Sequence, residues 1–180
     1  MMLIIDTIKE LKSEILSDCY LNSITNFECY EKELESFLKE DALENQKQGI
    51  SKTYLFFYEN NLVGYVTLLT DTLRLEGELR EFFKSKDILY KTLPAIKIGR
   101  LAVDDKFQRQ GIGKNILEYA LILTKMISQE YVGCRFLIVD AKRNQDHSKD
   151  SVHFYKRFGF RTLKERSKGT LPMYLDIYLK

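Results

Sequence analysis

The sequence predicts an α/β fold of the α+β type, in which helices flank a mixed β-sheet. One observation is a hairpin signal, where runs rich in β-branched and aromatic residues at 53–57 and 62–69 flank a polar turn. Another is the order of elements along the chain, which reads helix, hairpin, strand, helix, strand, helix, strand. Strands and helices that alternate in this way favour a sheet with helices on its faces.

The first predicted helix covers 31–48. Its acidic residues are concentrated near its start, where the helix dipole favours negative charge, and its apolar residues recur every three or four positions. The apolar positions are Leu34, Phe37, Leu38, Ala42 and Leu43. In the hairpin that follows, Glu59, Asn60 and Asn61 form the predicted turn, and Gly64 marks a bulge.

The rest of the chain alternates helices and strands, according to apolar periodicity and capping signals. The predicted elements are a polar helix at 72–85, a strand at 95–103 after Pro94, a loop at 104–113, a helix at 114–126, a strand at 135–141, a helix at 150–158 capped by Gly159, and a strand at 170–179. No linker rich in Gly, Ser or Pro interrupts them, so we expect residues 1–180 to form a single domain.

Composition restricts the class of protein. Hydrophobic residues make up 44% of the 180 residues and charged residues 30%, with nine Gly and two Pro, which excludes disordered, collagen-like and coiled-coil proteins. No apolar run approaches the roughly 18 to 20 residues of a membrane span, so we expect a cytoplasmic protein without a membrane partner. Cys19, Cys29 and Cys134 lie far apart, which indicates reduced, mostly buried thiols and no metal site.

Charge is unevenly distributed, although the formal net charge is only +2. Residues 1–60 contain six basic and twelve acidic residues, whereas 135–168 contain ten basic and four acidic ones. A basic face on the C-terminal half would suit a phosphorylated cofactor or a nucleic acid. A solvated surface helix would have the same composition, so both interpretations stay open.

The most informative segment is Gln108–Lys114, called here the glycine loop, because two glycines lie between a predicted strand and a predicted helix. Glycines let main-chain N–H groups approach a phosphate, and the helix N-terminus adds positive potential, so the segment predicts a pyrophosphate site. Arg109 and Lys114 would add charge. A P-loop is excluded because it needs Gly at Gln108 and Ser or Thr at Asn115, and the three glycines of a dinucleotide fingerprint are also missing.

Gln108, Gly111 and Gly113 match the Q/R-x-x-G-x-G/A loop of the GNAT superfamily of acyl-CoA N-acyltransferases, which the sequence resembles from Ala95 to Phe160. Phe154–Phe160 resembles the later Y-x-x-x-G-F signature of that family. The resemblance implies the GNAT fold, in which the sheet is mixed and mostly antiparallel. Two parallel strands of this sheet, at 98–103 and 136–141, would splay apart to form a V-shaped opening. The resemblance also implies acetyl-CoA as co-substrate and no metal. The implied acetyl-CoA-binding residues are Leu101, Ala102, Val103, Gln108, Arg109, Gln110, Gly111, Ile112, Gly113 and Lys114.

The resemblance implies that an acetyl group passes directly to an amine, with Tyr155 as the general acid that protonates the CoA thiolate. A phenol with an unperturbed pKa of about 10 is protonated at neutral pH and able to donate. The alternative for Tyr155 is a core aromatic residue. A main-chain N–H near Val103 is the implied donor to the oxyanion.

A general base is not evident from the sequence. Many GNAT enzymes carry an acid on the strand where this chain has Gly99 and Arg100, and Asp104 and Asp105 have the positions of turn residues. An amine of low pKa, such as the α-amino group of an aminoacyl ester, would fit this gap better than a lysine side chain.

The N-terminal third resembles GNAT-fold toxins that acetylate aminoacyl-tRNA, over Phe27–Leu38 and Asn45–Tyr54. That subgroup implies tRNA as acceptor and an antitoxin partner, and GNAT folds in general imply a homodimer. Side chains that would contact tRNA or CoA phosphates are Lys97, Arg100, Arg135, Lys142, Arg143, Lys149, Lys156 and Arg157. The function that we expect is an N-acetyltransferase for a primary amine, with the acceptor left open between a small-molecule or protein amine and an aminoacyl-tRNA. The alternatives are a toxin-type enzyme that acetylates aminoacyl-tRNA and a non-catalytic acyl-CoA-binding module.

Overall fold

The computed structural model of the protein describes residues 11–144, 150–164 and 169–179. In this part of the chain seven strands form one mixed sheet, in the order β1-β2-β3-β4-β5-β7-β6. Strands β4 and β5 are parallel, whereas the pairs β1–β2, β2–β3, β5–β7 and β6–β7 are antiparallel. The predicted mixed sheet is therefore confirmed.

The elements have the following bounds. The strands are β1 (Lys12–Ile15), β2 (Lys52–Tyr58), β3 (Asn61–Arg74), β4 (Thr92–Val103), β5 (Phe136–Lys142), β6 (Arg161–Thr162) and β7 (Thr170–Asp176). The helices are α1 (Leu21–Thr25), α2 (Lys32–Ser36), α3 (Ala42–Lys47), α4 (Gly77–Lys84), α5 (Ile112–Glu130) and α6 (Ser151–Phe158), with short 3-10 turns at Asp18–Tyr20 and Asp105–Phe107. None of the helices in the described ranges is long and apolar enough to cross a membrane.

The chain forms two compact units. The first combines the residues up to Leu69 with Gly99–Ala120, and the second combines Thr70–Ile98 with the residues from Leu121 onward. Strands β3 and β4 and helix α5 each contribute to both units. The single domain expected for residues 1–180 stays a prediction.

The first unit has its own apolar core. Its buried residues are Leu16, Ile24, Phe27, Cys29, Leu38, Ala42, Leu55, Phe57, Leu62, Tyr65 and Ala102. The helix predicted at 31–48 is present, but a π turn at Phe37–Asp41 separates α2 from α3. The buried Tyr65 hydroxyl donates to the Leu34 carbonyl at 2.6 Å, just before this turn. A strand side chain thus holds the helical segment against the sheet.

The predicted hairpin is confirmed, with a tighter turn than expected. Glu59 and Asn60 have φ values of 46° and 67°, and Asn61 already belongs to β3. Two consecutive residues with positive φ are typical of the type I′ turn, whose twist matches that of the flanking strands. The expected bulge is present too, because Phe56 pairs with Gly64 while Phe57 pairs with Leu62.

The sequence analysis misplaced one boundary and missed two short strands. Residues 72–74 belong to β3 rather than to a helix, because the buried Leu73 and Leu75 alternate with exposed neighbours at the period of a strand. The edge strand β1 was not predicted, since its sequence KSEI is short and polar. Strand β6 has only two residues, too few for any periodic signal.

The second unit is built around β5 and β7. Its buried residues are Leu73, Leu75, Phe83, Ala95, Phe136, Ile138 and Tyr174. Helix α6 starts where the Asp150 carboxylate accepts from the Val152 N–H at 2.9 Å. It ends at Gly159, whose φ of 107° is left-handed, so the predicted C-cap is confirmed.

The cysteines are free, as expected, and two of the three are buried. Burial raises the pKa of the Cys29 thiol to about 11, which keeps it protonated and unreactive at neutral pH. Cys134 is also buried, whereas Cys19 is exposed. Within the described ranges no group of His, Cys, Asp and Glu side chains is arranged to hold a metal ion.

We predict that Gly64→Ala destabilises the first unit by about 1–3 kcal/mol, because overpacking forces the neighbours to move. A Cβ at this position would lie 2.6 Å from Ile116 Cδ1 and 2.8 Å from the Ala102 carbonyl oxygen. Urea denaturation would measure the free energy of unfolding. Gly133→Ala is the control, since nothing lies within 4 Å of its Cβ. Equal stability of the two variants would contradict the close approach at Gly64.

Candidate active site

The parallel pair implied by the GNAT resemblance is present in the second unit. Residues Ala95–Ile98 of β4 pair with Phe136–Val139 of β5. Both strands continue past this pairing, β4 to Val103 and β5 to Lys142. On β5 the observed pairing falls within the expected range of 136–141, whereas on β4 it ends at Ile98, where the expected range of 98–103 begins.

The glycine loop lies in the first unit and opens α5. Arg109 and Gly111 have φ values of 61° and 86°, and the helix begins at Ile112, two residues before the predicted start. The Asn115 N–H donates to the Gly111 carbonyl at 3.2 Å. The amides of residues 112–114 come before this first helical bond, so their N–H groups point out of the helix end. With the dipole of a 19-residue helix behind them, these amides fit a phosphate group.

Two adjacent carboxylates fix the chain between β4 and the glycine loop. The Asp104 side chain is buried and accepts from the main-chain N–H groups of Glu28, at 3.1 Å, and Lys106, at 3.0 Å. Asp105 accepts from the N–H of Tyr30 at 2.9 Å. Both acids are thus turn residues, as the sequence predicted, and structural hydrogen bonds occupy both oxygens of Asp104 and Oδ1 of Asp105.

The glutamines of the glycine loop also have partners within the chain. Gln108 Nε2 donates to Asp105 Oδ1 at 2.6 Å and lies 3.4 Å from the Val103 carbonyl. Gln110 Nε2 donates to the Lys106 carbonyl at 3.3 Å. These side chains hold the shape of the loop, a role that sequence reasoning missed because it assigned both residues to ligand binding.

The remaining predicted binding residues fall into two groups. At the end of β4, Ala102 is buried in the core of the first unit, whereas Leu101 and Val103 are partly exposed. In the glycine loop, Arg109 is exposed and Lys114 lies 3.5 Å from Glu118 in an exposed ion pair. The structure brings β4 residues 101–103 and the loop together in the first unit.

Tyr155 lies in α6, in the second unit, and is only 6% exposed. Its ring packs edge-on against Phe154 and Phe160, with centroids 5.1 Å and 5.3 Å away. Burial raises the pKa of the phenol above its ordinary value. No side-chain hydrogen bond of the Tyr155 hydroxyl occurs among the described residues, so this proton donor is not committed to a structural partner there.

A hydrogen bond fixes the start of α6 relative to β5. Ser151 Oγ donates to the Lys142 carbonyl at 2.8 Å, where β5 ends. Because Ser151 is the first residue of α6, this contact and the Asp150 cap together set where the helix begins. Tyr155 follows one turn later.

Three of the basic side chains predicted to meet phosphates lie beside carboxylates. Lys97 Nζ lies 2.7 Å from Asp140 Oδ2, and Arg135 Nη2 lies 2.7 Å from Asp176 Oδ2. Arg100 Nη2 lies 3.4 Å from Glu33 Oε1. Lys156 and Arg157 are exposed on α6, and Lys149 lies outside the described residues.

A cleft of about 400 Å³ lies elsewhere in the first unit. Its lining residues are Ser13, Glu14, Ile15, Ser17, Cys19, Tyr20, Tyr54 and Tyr119. None of them is a predicted site residue, so the cleft does not belong to the glycine loop.

The family description "Acetyltransferase (GNAT) domain" matches residues 49–162, a stretch that contains β4, the glycine loop and α6. The chain belongs to the GNAT acetyltransferase family. It is accordingly an N-acetyltransferase that uses acetyl-CoA as co-substrate, and the fold and activity expected from the glycine loop are confirmed. That the amides of 112–114 at the start of α5 bind a CoA phosphate stays a prediction.

Several proteins of known activity or structure are similar to this chain. A tRNA-acetylating toxin of Mycobacterium tuberculosis is 26% identical over 162 residues, which cover 88% of this chain and 87% of the relative. The structure of AtaT complexed with acetyl-methionyl-tRNAfMet is 25% identical, with a TM-score of 0.74 over 92% of this chain and 94% of AtaT. A Tyr-to-Phe mutant of KacT is 26% identical, with a TM-score of 0.75 over 93% and 95%.

We predict that Gly111→Ala raises the KM for acetyl-CoA roughly tenfold, because a left-handed residue with a Cβ costs about 1–3 kcal/mol and shifts the amides of the glycine loop. Steady-state kinetics with varied acetyl-CoA would measure this. Gly49→Ala is the matched control, since Gly49 also has a positive φ, of 72°, and free space around its Cβ. If both variants had the same KM, the glycine loop would not bind the co-substrate.

Proposed function

We propose that this acetyltransferase modifies the α-amino group of an aminoacyl-tRNA and acts as the toxin of a toxin–antitoxin pair. The observation that carries the proposal is the similarity, over about nine-tenths of the chain, to a tRNA-acetylating toxin and to AtaT in complex with an acetylated aminoacyl-tRNA. A further neighbour is AtaT bound to the C-terminus of the antitoxin AtaR, 24% identical with a TM-score of 0.72. A cytoplasmic location and a homodimer remain predictions.

The proposed reaction is a direct transfer. The neutral amine attacks the thioester carbonyl, so that a C–N bond forms and the C–S bond breaks. The CoA thiolate that leaves takes the phenol proton of Tyr155, and the amine nitrogen releases its extra proton to water. A main-chain N–H near Val103 would stabilise the oxyanion that forms between these steps.

Strand β4 itself carries no acidic residue, which favours an acceptor that needs no strong base. Asp104 and Asp105 are held by main-chain N–H groups, and the β4 positions Gly99 and Arg100 carry no acid. An α-amino group with a pKa of about 7.7–8.0 is substantially neutral near pH 7.5, whereas a lysine of pKa about 10.4 is only about 0.1% neutral. The aminoacyl α-amino group is therefore the better acceptor for this chain.

A small-amine acetyltransferase is the second candidate function. The pairing of Lys97 and Arg135 with Asp140 and Asp176 reduces the cationic surface available for tRNA phosphates, and the net charge is only +2. Such an enzyme would need fewer phosphate contacts than one that binds tRNA.

The deciding experiment measures transfer from labelled acetyl-CoA into bulk aminoacyl-tRNA, beside a panel of polyamines, amino acids and antibiotic amines. Label in aminoacyl-tRNA, lost after the ester is hydrolysed, would support the proposal. Label only in small amines would support the second candidate. If no class of amine caused any release of thiol from acetyl-CoA, the protein would be a non-catalytic acyl-CoA-binding module.

We predict that Tyr155→Phe lowers kcat by about 10²- to 10⁴-fold, the usual contribution of a positioned general acid, and leaves the KM for acetyl-CoA unchanged. The substitution removes only a hydroxyl, so the packing against Phe154 and Phe160 persists. Tyr174→Phe is the control, because Tyr174 is another buried tyrosine of the second unit. Transfer at the wild-type rate by Tyr155→Phe would exclude the acid role and leave Tyr155 as a core residue.

We predict that kcat/KM rises with pH through the pKa of the acceptor amine and then stays level to about pH 10. Burial raises the pKa of Tyr155, so the phenol stays protonated above the ordinary tyrosine pKa of about 10 and no descending limb appears below it. A pH–rate profile with a saturating acetyl-CoA concentration would measure this. A decline between pH 8 and 9 would show that another acid, with a lower pKa, protonates the thiolate.

A further inference from the structure

The guanidinium of Arg100 has one edge whose donors lack good partners. Nη1 donates to the Gly99 carbonyl at 2.8 Å. Nε is buried and has no hydrogen-bond partner within the described residues, and Nη2 only reaches Glu33 Oε1 at 3.4 Å. Nε and Nη2 form the pair of parallel donors that binds both oxygens of a carboxylate or phosphate. The edge best suited to an anion is thus the least satisfied one.

The surroundings hold the plane of this guanidinium. Arg100 Cζ lies 5.1 Å from the centre of the Phe37 ring, and Phe37 is the first residue of the π turn. Tyr65 fixes the preceding turn of helix through its bond to the Leu34 carbonyl. π turns occur frequently at functional sites. A hydrogen bond from strand β3 therefore supports the aromatic platform, although the platform is built from a helical segment far from β4 in sequence.

Glu33 is a weak and replaceable partner for Arg100. Its side chain is 69% exposed, and the 3.4 Å contact is longer than a charge-assisted hydrogen bond of about 2.7–2.9 Å. The Arg100 side chain is itself 36% exposed. An anion that approaches from solvent can displace the Glu33 carboxylate without disturbing the core of the first unit.

We propose that Arg100 binds a phosphate of the acceptor, and that Glu33 occupies the guanidinium until the acceptor arrives. This inference rests on the proposed function, because an aminoacyl-tRNA carries a phosphate one ribose away from the ester that bears its reacting amine, whereas most small amines carry none. Arg100 lies three residues before Val103 on β4, which is about 10 Å along a strand. That length is comparable to the span from the reacting amine, three bonds beyond the ester oxygen, to the 5′-phosphate of the terminal nucleotide.

The test compares variants of Arg100 and Glu33 in acetylation of aminoacyl-tRNA. We expect Arg100→Ala to raise the KM for aminoacyl-tRNA by about 10- to 100-fold, and Arg100→Lys to raise it less, since lysine keeps the charge but loses the paired donors. Glu33→Gln should lower this KM, because it removes the competing carboxylate. The KM for acetyl-CoA should not change in any of them.

Substitution of Arg100 and substitution of Glu33 should change the KM for aminoacyl-tRNA in opposite directions. This difference distinguishes a role in binding the acceptor from a purely structural role. If the Arg100–Glu33 contact only stabilised the fold, both substitutions would lower the melting temperature and neither would lower a KM. Lys47→Ala is the matched control, since Lys47 forms an exposed ion pair with Asp18 in the same unit, at 3.0 Å. Arg100→Lys and Glu33→Gln retain most of the side-chain volume, so they keep the test valid if Arg100→Ala does not fold.

A pair of small acceptors identifies the group that Arg100 binds. The wild-type enzyme should prefer 3′-O-aminoacyl adenosine 5′-phosphate over the same compound without the phosphate, and Arg100→Ala should lose this preference. A preference that persists in Arg100→Ala would overturn the inference alone, because the transfer itself would still support the proposed function. No transfer by the wild-type enzyme to aminoacyl-tRNA or to either compound would overturn both.

Discussion

The position of the glycine loop depends on the hydrogen bonds of one buried carboxylate. Asp104 lies where β4 ends, and burial of a charged side chain is costly unless hydrogen bonds replace its water. Two main-chain N–H groups supply them, and one belongs to Glu28, 76 residues earlier in the chain. Asp105 makes the same kind of contact to Tyr30. The segment that leads into α2 is thereby fixed to the chain that leads into α5. The same two carboxylates therefore hold both the glycine loop and the helix that carries Glu33.

Local patterns in the sequence were sufficient to predict the catalytic core of the fold. The glycines of the loop, the apolar runs of β4 and β5, and the FYKRFGF signature identified the family, because each depends on neighbouring residues alone. The turn at Glu59 and Asn60 and the cap at Gly159 were found for the same reason. Where the prediction failed, at β1 and at residues 72–74, the deciding factor was pairing or burial against distant parts of the chain.

Contacts over long sequence separations could not be predicted. Glu33 and Arg100 are 67 residues apart, and no spacing rule connects them. The sequence showed that β4 lacks an acid at Gly99 and Arg100, but not that a carboxylate from α2 lies beside the guanidinium. It likewise suggested phosphate contacts for Lys97 and Arg135, whose charges are matched within the second unit by carboxylates on β5 and β7. A count of basic residues therefore overestimates the free cationic surface.

The π turn at Phe37–Asp41 has an evolutionary consequence. Such a turn is equivalent to one inserted residue in an otherwise regular α-helix, and each residue of an α-helix advances by about 100°. Deletion of a single residue there would restore a regular helix and leave α2 and α3 nearly in phase, because the wider turn winds about as far with one more residue. The deletion would therefore change the segment that places Phe37 beside Arg100, while Tyr65 and the Asp104 and Asp105 contacts keep neighbouring points of the chain in place. A change of one codon could thus alter this aromatic platform without altering the glycine loop.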